Sequence, residues 1–149
     1  MIERYSRKEI KNIWNDKNKY SIWLDIEIAA AEAMEKLKII PKGVSKKVKS
    51  RAKIDVHKIL KIEEKVKHDV IAFLTSISEK VGKDARYLHK GMTSSDVLDT
   101  CFNLQLKQSG EILLKDINQL LISIKRQALK HKYTFCLLYT SPSPRDFEA

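Results

Sequence analysis

Glycine and proline are scarce in this chain. It has four of the first and three of the second in 149 residues, with a single proline before position 142. Sandwiches, barrels and collagen-like folds need more turn residues than that. The shortage points to an all-helical domain, or to a helical piece of something larger. Cysteine is almost absent too: Cys101 and Cys136 are too few for a disulfide framework or a cysteine-based zinc site. No stretch approaches the roughly 18 apolar residues that suggest a membrane span. The N-terminus is charged from Glu3 onward, with no apolar signal core behind it. A soluble cytoplasmic protein is therefore expected. Gly-rich phosphate loops, His-Glu-x-x-His pairs and nucleophile elbows are missing as well.

What is there is apolar and basic. Hydrophobic residues make up 43%, too much for a disordered chain, and the length suits one domain. Lys and Arg number 29 against 19 Asp and Glu, a net charge of +10. Such a charge fits a nucleic-acid or anionic partner, or else a solvated Lys-rich helical surface. Lysine is spread along every segment with acids interleaved, and no zinc-finger spacing or RNP-like aromatic pattern accompanies it. The solvated surface is the better reading.

The periodicity lays out a series of helices. Ser6 and Glu9 form a capping-box pair, which starts a short helix near Arg7. Tyr20 to Leu37 is periodic, with Ile22, Ile26, Ala29, Ala30, Ala33 and Leu37 on one face and Asp25, Glu32 and Glu35 turned away. Pro41 and Gly43 end it. Val44 to Ala52 is a short basic helix. Asp55 caps a helix through Ile59, Ile62 and Val66, and a further one runs from Val70 to Val81, closed by Gly82. Asp84 to Ser95 reads mostly as loop, with Ser95 or a neighbouring hydroxyl capping the next helix. That helix, Asp96 to about Lys132, carries Phe102, Leu106, Leu113, Ile117, Leu120, Ile124 and Ala128. At about 1.5 Å per residue it spans roughly 55 Å, against about 30 Å for a compact domain of this size. Its stripe therefore calls for a long bundle, an oligomer, or both. Trp14 and Trp23 are expected in the core.

Three polar clusters remain. Arg4-Tyr5 pairs a planar fork of donors with a hydroxyl, suited to phosphate or carboxylate, though an exposed surface pair looks the same. Lys67-His68-Asp69 combines a cation, an imidazole that titrates near neutrality and a carboxylate. Consecutive residues do not share a helix face, so a joint role needs a bend here. Gly91 to Asp96 places hydroxyls and backbone N–H groups at a helix start, which serves either as an anion site or as an ordinary cap. His57, His89 and His131 show no partner pattern and receive no role.

Taken together, Met1–Ser6, Lys67–Phe73 and His89–Thr100 occur in an order and spacing that closely resembles the N-terminal part of the bacterial adenylosuccinate lyases, within the fumarase/aspartase superfamily. The resemblance covers Met1 to about Thr134. The 89–100 block marks the superfamily, and the other two favour this branch over argininosuccinate lyases and fumarases. It implies an all-α fold: an N-terminal helical domain over 1–92, then the first long helix of the superfamily's central bundle over 93–134. It implies a homotetramer with active sites built from three subunits. The implied reaction is β-elimination of fumarate from adenylosuccinate and from the succinylated aminoimidazole carboxamide ribotide, with neither metal nor organic cofactor and with no nucleic-acid or membrane partner. By motif, Arg4 and Tyr5 correspond to binding residues for the nucleotide phosphate. Lys67, His68 and Asp69 form a second substrate-contact segment, His68 being the one to hydrogen-bond substrate. Thr93 and Ser94 hold the succinyl carboxylates as negative charge builds.

The family's general acid, a His in a Gly-Arg-Thr/Ser-His-Gly stretch, should follow within about ten residues of Thr134 by this resemblance. Phe135 to Pro142 stands there instead. The general base, a Ser in a Ser-Ser-x-Met-Pro-x-Lys-x-Asn signature, is also missing, so a fragment without activity of its own is expected. Residues 135–149 hold two of the three prolines and no lysine. The run Cys136–Asp146 resembles a translated adaptor or assembly scar, and 135–149 is read as a non-native tail, outside the fold. Two alternatives stand beside this reading: another fumarate-releasing lyase of the superfamily, and a basic helical module binding nucleic acid.

Overall fold

The computed structural model describes residues 3–134, so the expected tail over 135–149 lies outside the described residues. Among those residues the chain is helical, with no strand. A short 3-10 helix over Glu3–Tyr5 precedes six α-helices: α1 (Lys8–Ile13), α2 (Asp16–Lys36), α3 (Val44–Arg51), α4 (Val56–Val66), α5 (Asp69–Val81) and α6 (Ser94–Lys130). A second 3-10 helix, Gly82–Tyr87, follows α5. The described residues divide into two compact units, one up to Gly110 and one from Glu111 onward.

The core of the first unit is organised on three aromatic rings. Tyr20 and Trp23 of α2 meet edge-on with centroids 5.2 Å apart, Phe73 of α5 stacks on Tyr20 at 5.9 Å, and it meets Trp23 edge-on at 5.5 Å. All three are buried, with Ile59, Val70, Ile77, Val44 and Val48 around them. Edge-on and stacked geometries suit the ring quadrupoles and add to the area buried.

This core corrects the expected face of α2. Tyr20, Ile22, Trp23, Glu27, Ile28 and Ala31 are buried and Ile26 and Ala30 partly so, whereas Ala29, Ala33 and Leu37 are exposed. The buried face is rotated from the expected one, and the two share Ile22, with Ile26 and Ala30 at its edge. Two large aromatic side chains bury far more apolar area than several alanines do, so they decide which side faces inward.

Helix ends differ in smaller ways. The cap of α1 is Arg7 rather than Ser6, and its side chain pairs with Glu9 at 3.3 Å. Helix α2 starts four residues before Tyr20, where Asn15 accepts the Asn18 N–H at 2.7 Å. Asp55 caps α4 as expected, accepting the Lys58 N–H at 3.0 Å. Gly82 closes α5 at φ 76°, ψ −142°, a backbone region open essentially to glycine. Of the stretch expected as loop, Asp84–Tyr87 is 3-10 helix and Ser94–Ser95 already belongs to α6.

Within the first unit, α6 buries Val97, Cys101 and Gln105, which recur every fourth residue. Gln105 donates its amide to the Ile13 carbonyl at 2.8 Å. Trp14 is not a core residue. It is partly buried, lies edge-on to Phe102 at 5.9 Å and donates its indole N–H to the Ser109 hydroxyl at 3.0 Å. In the second unit α6 continues to Lys130 with Leu113, Ile117, Leu120 and Ile124 all more than half exposed.

Candidate active site

The Arg4-Tyr5 pair sits on the first 3-10 helix. Both side chains are exposed, Tyr5 by 75%, and the Arg4 guanidinium lies 4.8 Å from the Tyr5 ring centroid. A guanidinium held over a ring keeps its N–H fork free for an anion at the edge.

Lys67, His68 and Asp69 form the bend between α4 and α5. Lys67 ends α4 in the left-handed region, at φ 54°, ψ 32°, with its N–H on the Glu63 carbonyl at 2.8 Å. That reversal frees Lys67 and His68 from helical geometry before α5 begins at Asp69, and the sequence carries no glycine to announce it. His68 is extended and caps α5, its Nδ1 accepting the Ile71 N–H at 3.4 Å. In the tautomer where Nδ1 accepts, Nε2 carries the ring proton and can donate it. Asp69 accepts the Val70 N–H at 2.7 Å and comes within 3.5 Å of His68 Nδ1. Both side chains are about two-fifths exposed.

Thr93 and Ser94 stand at the start of α6. The Thr93 N–H donates to Asp96 Oδ2 at 2.8 Å, and the Asp96 N–H donates back to the Thr93 carbonyl at 3.1 Å. Asp96 fills the third helical position, from which an acid in a capping box reaches back. Thr93 is exposed and Ser94 half-buried. The first-turn amides and hydroxyls of a long helix make a surface suited to carboxylate.

The three clusters thus occupy three elements of the first unit. Among the described residues, no hydrogen bond or ion pair ties one to another. Nor do any three His, Cys, Asp or Glu among them group as metal ligands.

Sequence reasoning missed the buried polar contact of this region. Glu27, only 1% exposed, accepts the His89 backbone N–H on Oε2 at 2.7 Å, while its Oε1 lies 2.7 Å from His89 Nδ1. A signal was present: Glu27 falls on the same face of α2 as Tyr20, Trp23 and Ala31, where a carboxylate needs a partner. The partner lies 62 residues away and no local pattern names it.

The chain is similar to several known proteins. A family model described as a lyase matches residues 3–142. Adenylosuccinate lyase of Bacillus subtilis (strain 168) is 46% identical over 134 residues, covering 90% of this chain and 31% of the relative. The Synechocystis enzyme of the same name is 48% identical over 134 residues, with the same coverage. That of Aquifex aeolicus is 45% identical over 140 residues. The chain spans about a third of the length of these curated relatives. Among solved structures, a fumarate lyase from Mesorhizobium sp. BNC1 shares the fold at TM-score 0.69 and 21% identity, over 76% of this chain and 29% of that one. The β-carboxy-cis,cis-muconate cycloisomerase of Acinetobacter calcoaceticus sp. ADP1 does so at 0.72 and 24%, over 83% and 31%.

Proposed function

The chain belongs to the lyase family whose model spans residues 3–142, and from that membership we propose that it is the N-terminal segment of an adenylosuccinate lyase. The observation that carries the reading is 43–48% identity to adenylosuccinate lyases over about nine-tenths of this chain. The assembled enzyme would eliminate fumarate from adenylosuccinate, leaving AMP, and from the succinylated aminoimidazole carboxamide ribotide, both steps of purine biosynthesis.

In this reaction a base removes the proton beside a succinyl carboxylate. The electron pair left behind becomes the new C=C bond as the C–N bond breaks, and an acid returns a proton to the departing nitrogen. No metal or organic cofactor is needed. Thr93 and Ser94 would meet the carboxylate on which negative charge collects, at the positive end of α6. Arg4 and Tyr5 would hold the nucleotide phosphate. His68 would donate from Nε2 to substrate, with Lys67 and Asp69 setting the charge beside it. The acid and base motifs of the family do not occur within residues 1–149, so those groups come from outside this segment. The division at residues 92–93 and the foreign character of 135–149 belong to the same reading. So do a cytoplasmic homotetramer and the lack of a nucleic-acid or membrane partner.

The test is a chimera in which residues 1–134 replace the matching part of the Bacillus subtilis relative. It should release fumarate from adenylosuccinate, while the purified 149-residue chain releases none. A chimera that assembles as a tetramer but is idle on adenylosuccinate and active on argininosuccinate would assign the chain to another fumarate-releasing lyase.

A further inference from the structure

We propose that Glu27 is the positioning residue of this site, fixing the turn that presents Thr93 and Ser94; the proposal rests on the lyase reading above. Burying a carboxylate on an apolar helix face is costly unless both oxygens find donors. Here Oε2 accepts the His89 N–H, and Oε1 lies 2.7 Å from Nδ1 of the same residue, which donates in the tautomer that carries its proton there. The turn needs such a hold. His89 is a non-glycine residue in the left-handed region at φ 56°, and Gly91, two residues on, is at φ 71°. Left-handed backbone at a residue with a Cβ costs free energy that contacts from its surroundings offset. The Glu27 carboxylate does so by taking the His89 N–H and its ring Nδ1 together.

From His89 the path to the site is short. The Met92 N–H reaches the His89 carbonyl at 3.5 Å, and the next residue, Thr93, is tied to Asp96 at 2.8 Å. The segment is pinned by α2 at one end and by α6 at the other. Only Lys90, Gly91 and Met92 separate the two pins, so a change at Glu27 is felt at Thr93 and Ser94. Groups that stabilise charge in a transition state lose much of their effect when displaced by about an ångström. Glu27 acts through the turn and touches no substrate.

The experiment has two arms. In the 149-residue chain, Glu27→Gln keeps the side-chain shape but puts an amide where one carboxylate oxygen was. Hydrogen exchange read by mass spectrometry should quicken at least about tenfold in peptides spanning 88–94 and stay unchanged in α5. In the chimera, Glu27→Gln should lower kcat by at least about tenfold, with KM moving much less. Glu27→Asp, which keeps the charge but shortens the reach, should fall between it and the parent, and it serves if the Gln variant does not fold. Equal quickening in the turn and in α5, or unchanged kcat beside a lowered Tm, would make Glu27 a stabilising residue only and overturn the proposal. If the parent chimera itself is idle, the lyase reading fails, and the exchange arm still decides whether Glu27 sets the turn.

Discussion

Glu35 of α2 caps α3 from ten residues away. Its Oε1 accepts the Ser45 N–H at 2.6 Å and its Oε2 accepts the Gly43 N–H at 3.0 Å. Helix α3 has no side-chain cap of its own, because its flanking residue is Gly43. The carboxylate of another helix supplies the missing acceptor, and in doing so fastens α3 to α2.

These bonds set a pH dependence. The backbone N–H groups of Ser45 and then Gly43 hold the Glu35 carboxyl below its ordinary range. A depressed carboxyl stabilises the fold above its unfolded value and loses that contribution as pH falls through the folded one. The Tm of the parent should therefore decline as pH drops below about 4.5, the ordinary value for this group. Glu35→Gln should have a lower Tm at neutral pH and a flatter decline on acidification. Parallel Tm profiles for the two chains would refute the assignment.

Phe73→Ala should be the most damaging single truncation in the first unit. Phe73 is fully buried and touches both Tyr20 and Trp23. Large aromatic-to-alanine changes in a core cost about 3–5 kcal/mol. Urea unfolding followed by tryptophan fluorescence should show the midpoint fall accordingly. A loss under about 1 kcal/mol would mean that the aromatic cluster is not the centre of the core.

Cys101 should be inert in the folded chain. Its side chain is 2% exposed, its thiol is pushed up by burial, and its Sγ lies 3.8 Å from the Lys19 carbonyl. Thiolate is the reactive form, and both its fraction and its access are suppressed here. In a Cys136→Ser background, modification by an aromatic disulfide reagent should be at least about a hundredfold slower than in denaturing urea. Comparable rates would show that α6 is not seated on the first unit's core.

The exposed stripe of α6 should make the chain self-associate. Leu113, Ile117, Leu120 and Ile124 are each more than half exposed, together with Leu114, Leu121 and Ile122. An apolar surface of this extent draws partners or aggregates. Analytical ultracentrifugation should show oligomers for the parent and a shift toward monomer for Ile117→Lys combined with Leu120→Lys. A monomeric parent with a cooperative thermal transition would contradict the expectation.

The helical character of the chain was written in its composition and period. Scarce glycine and proline, the Asp55 cap, the Gly82 stop and the long periodic run into α6 are local features, and helices form from local contacts. The family was legible for a related reason: three short segments kept their order and spacing. The substrate roles of Arg4, Tyr5, Lys67, His68, Asp69, Thr93 and Ser94 came by that resemblance and await the chimera.

Other features had no local signature. The side of α2 that faces inward followed from how Tyr20 and Trp23 pack with Phe73, fifty residues on from Trp23. The left-handed Lys67 that bends the chain at His68 is a lysine where glycine would have been the visible cue. The Glu35 cap of α3 and the Glu27 hold on His89 join groups ten and 62 residues apart. The sequence by itself determined that the chain is helical and roughly where its helices lie, because those depend on neighbours along the chain. Only the tertiary structure decided which face is buried and which carboxylate meets which N–H, because burial and pairing are settled by contacts that close across the fold.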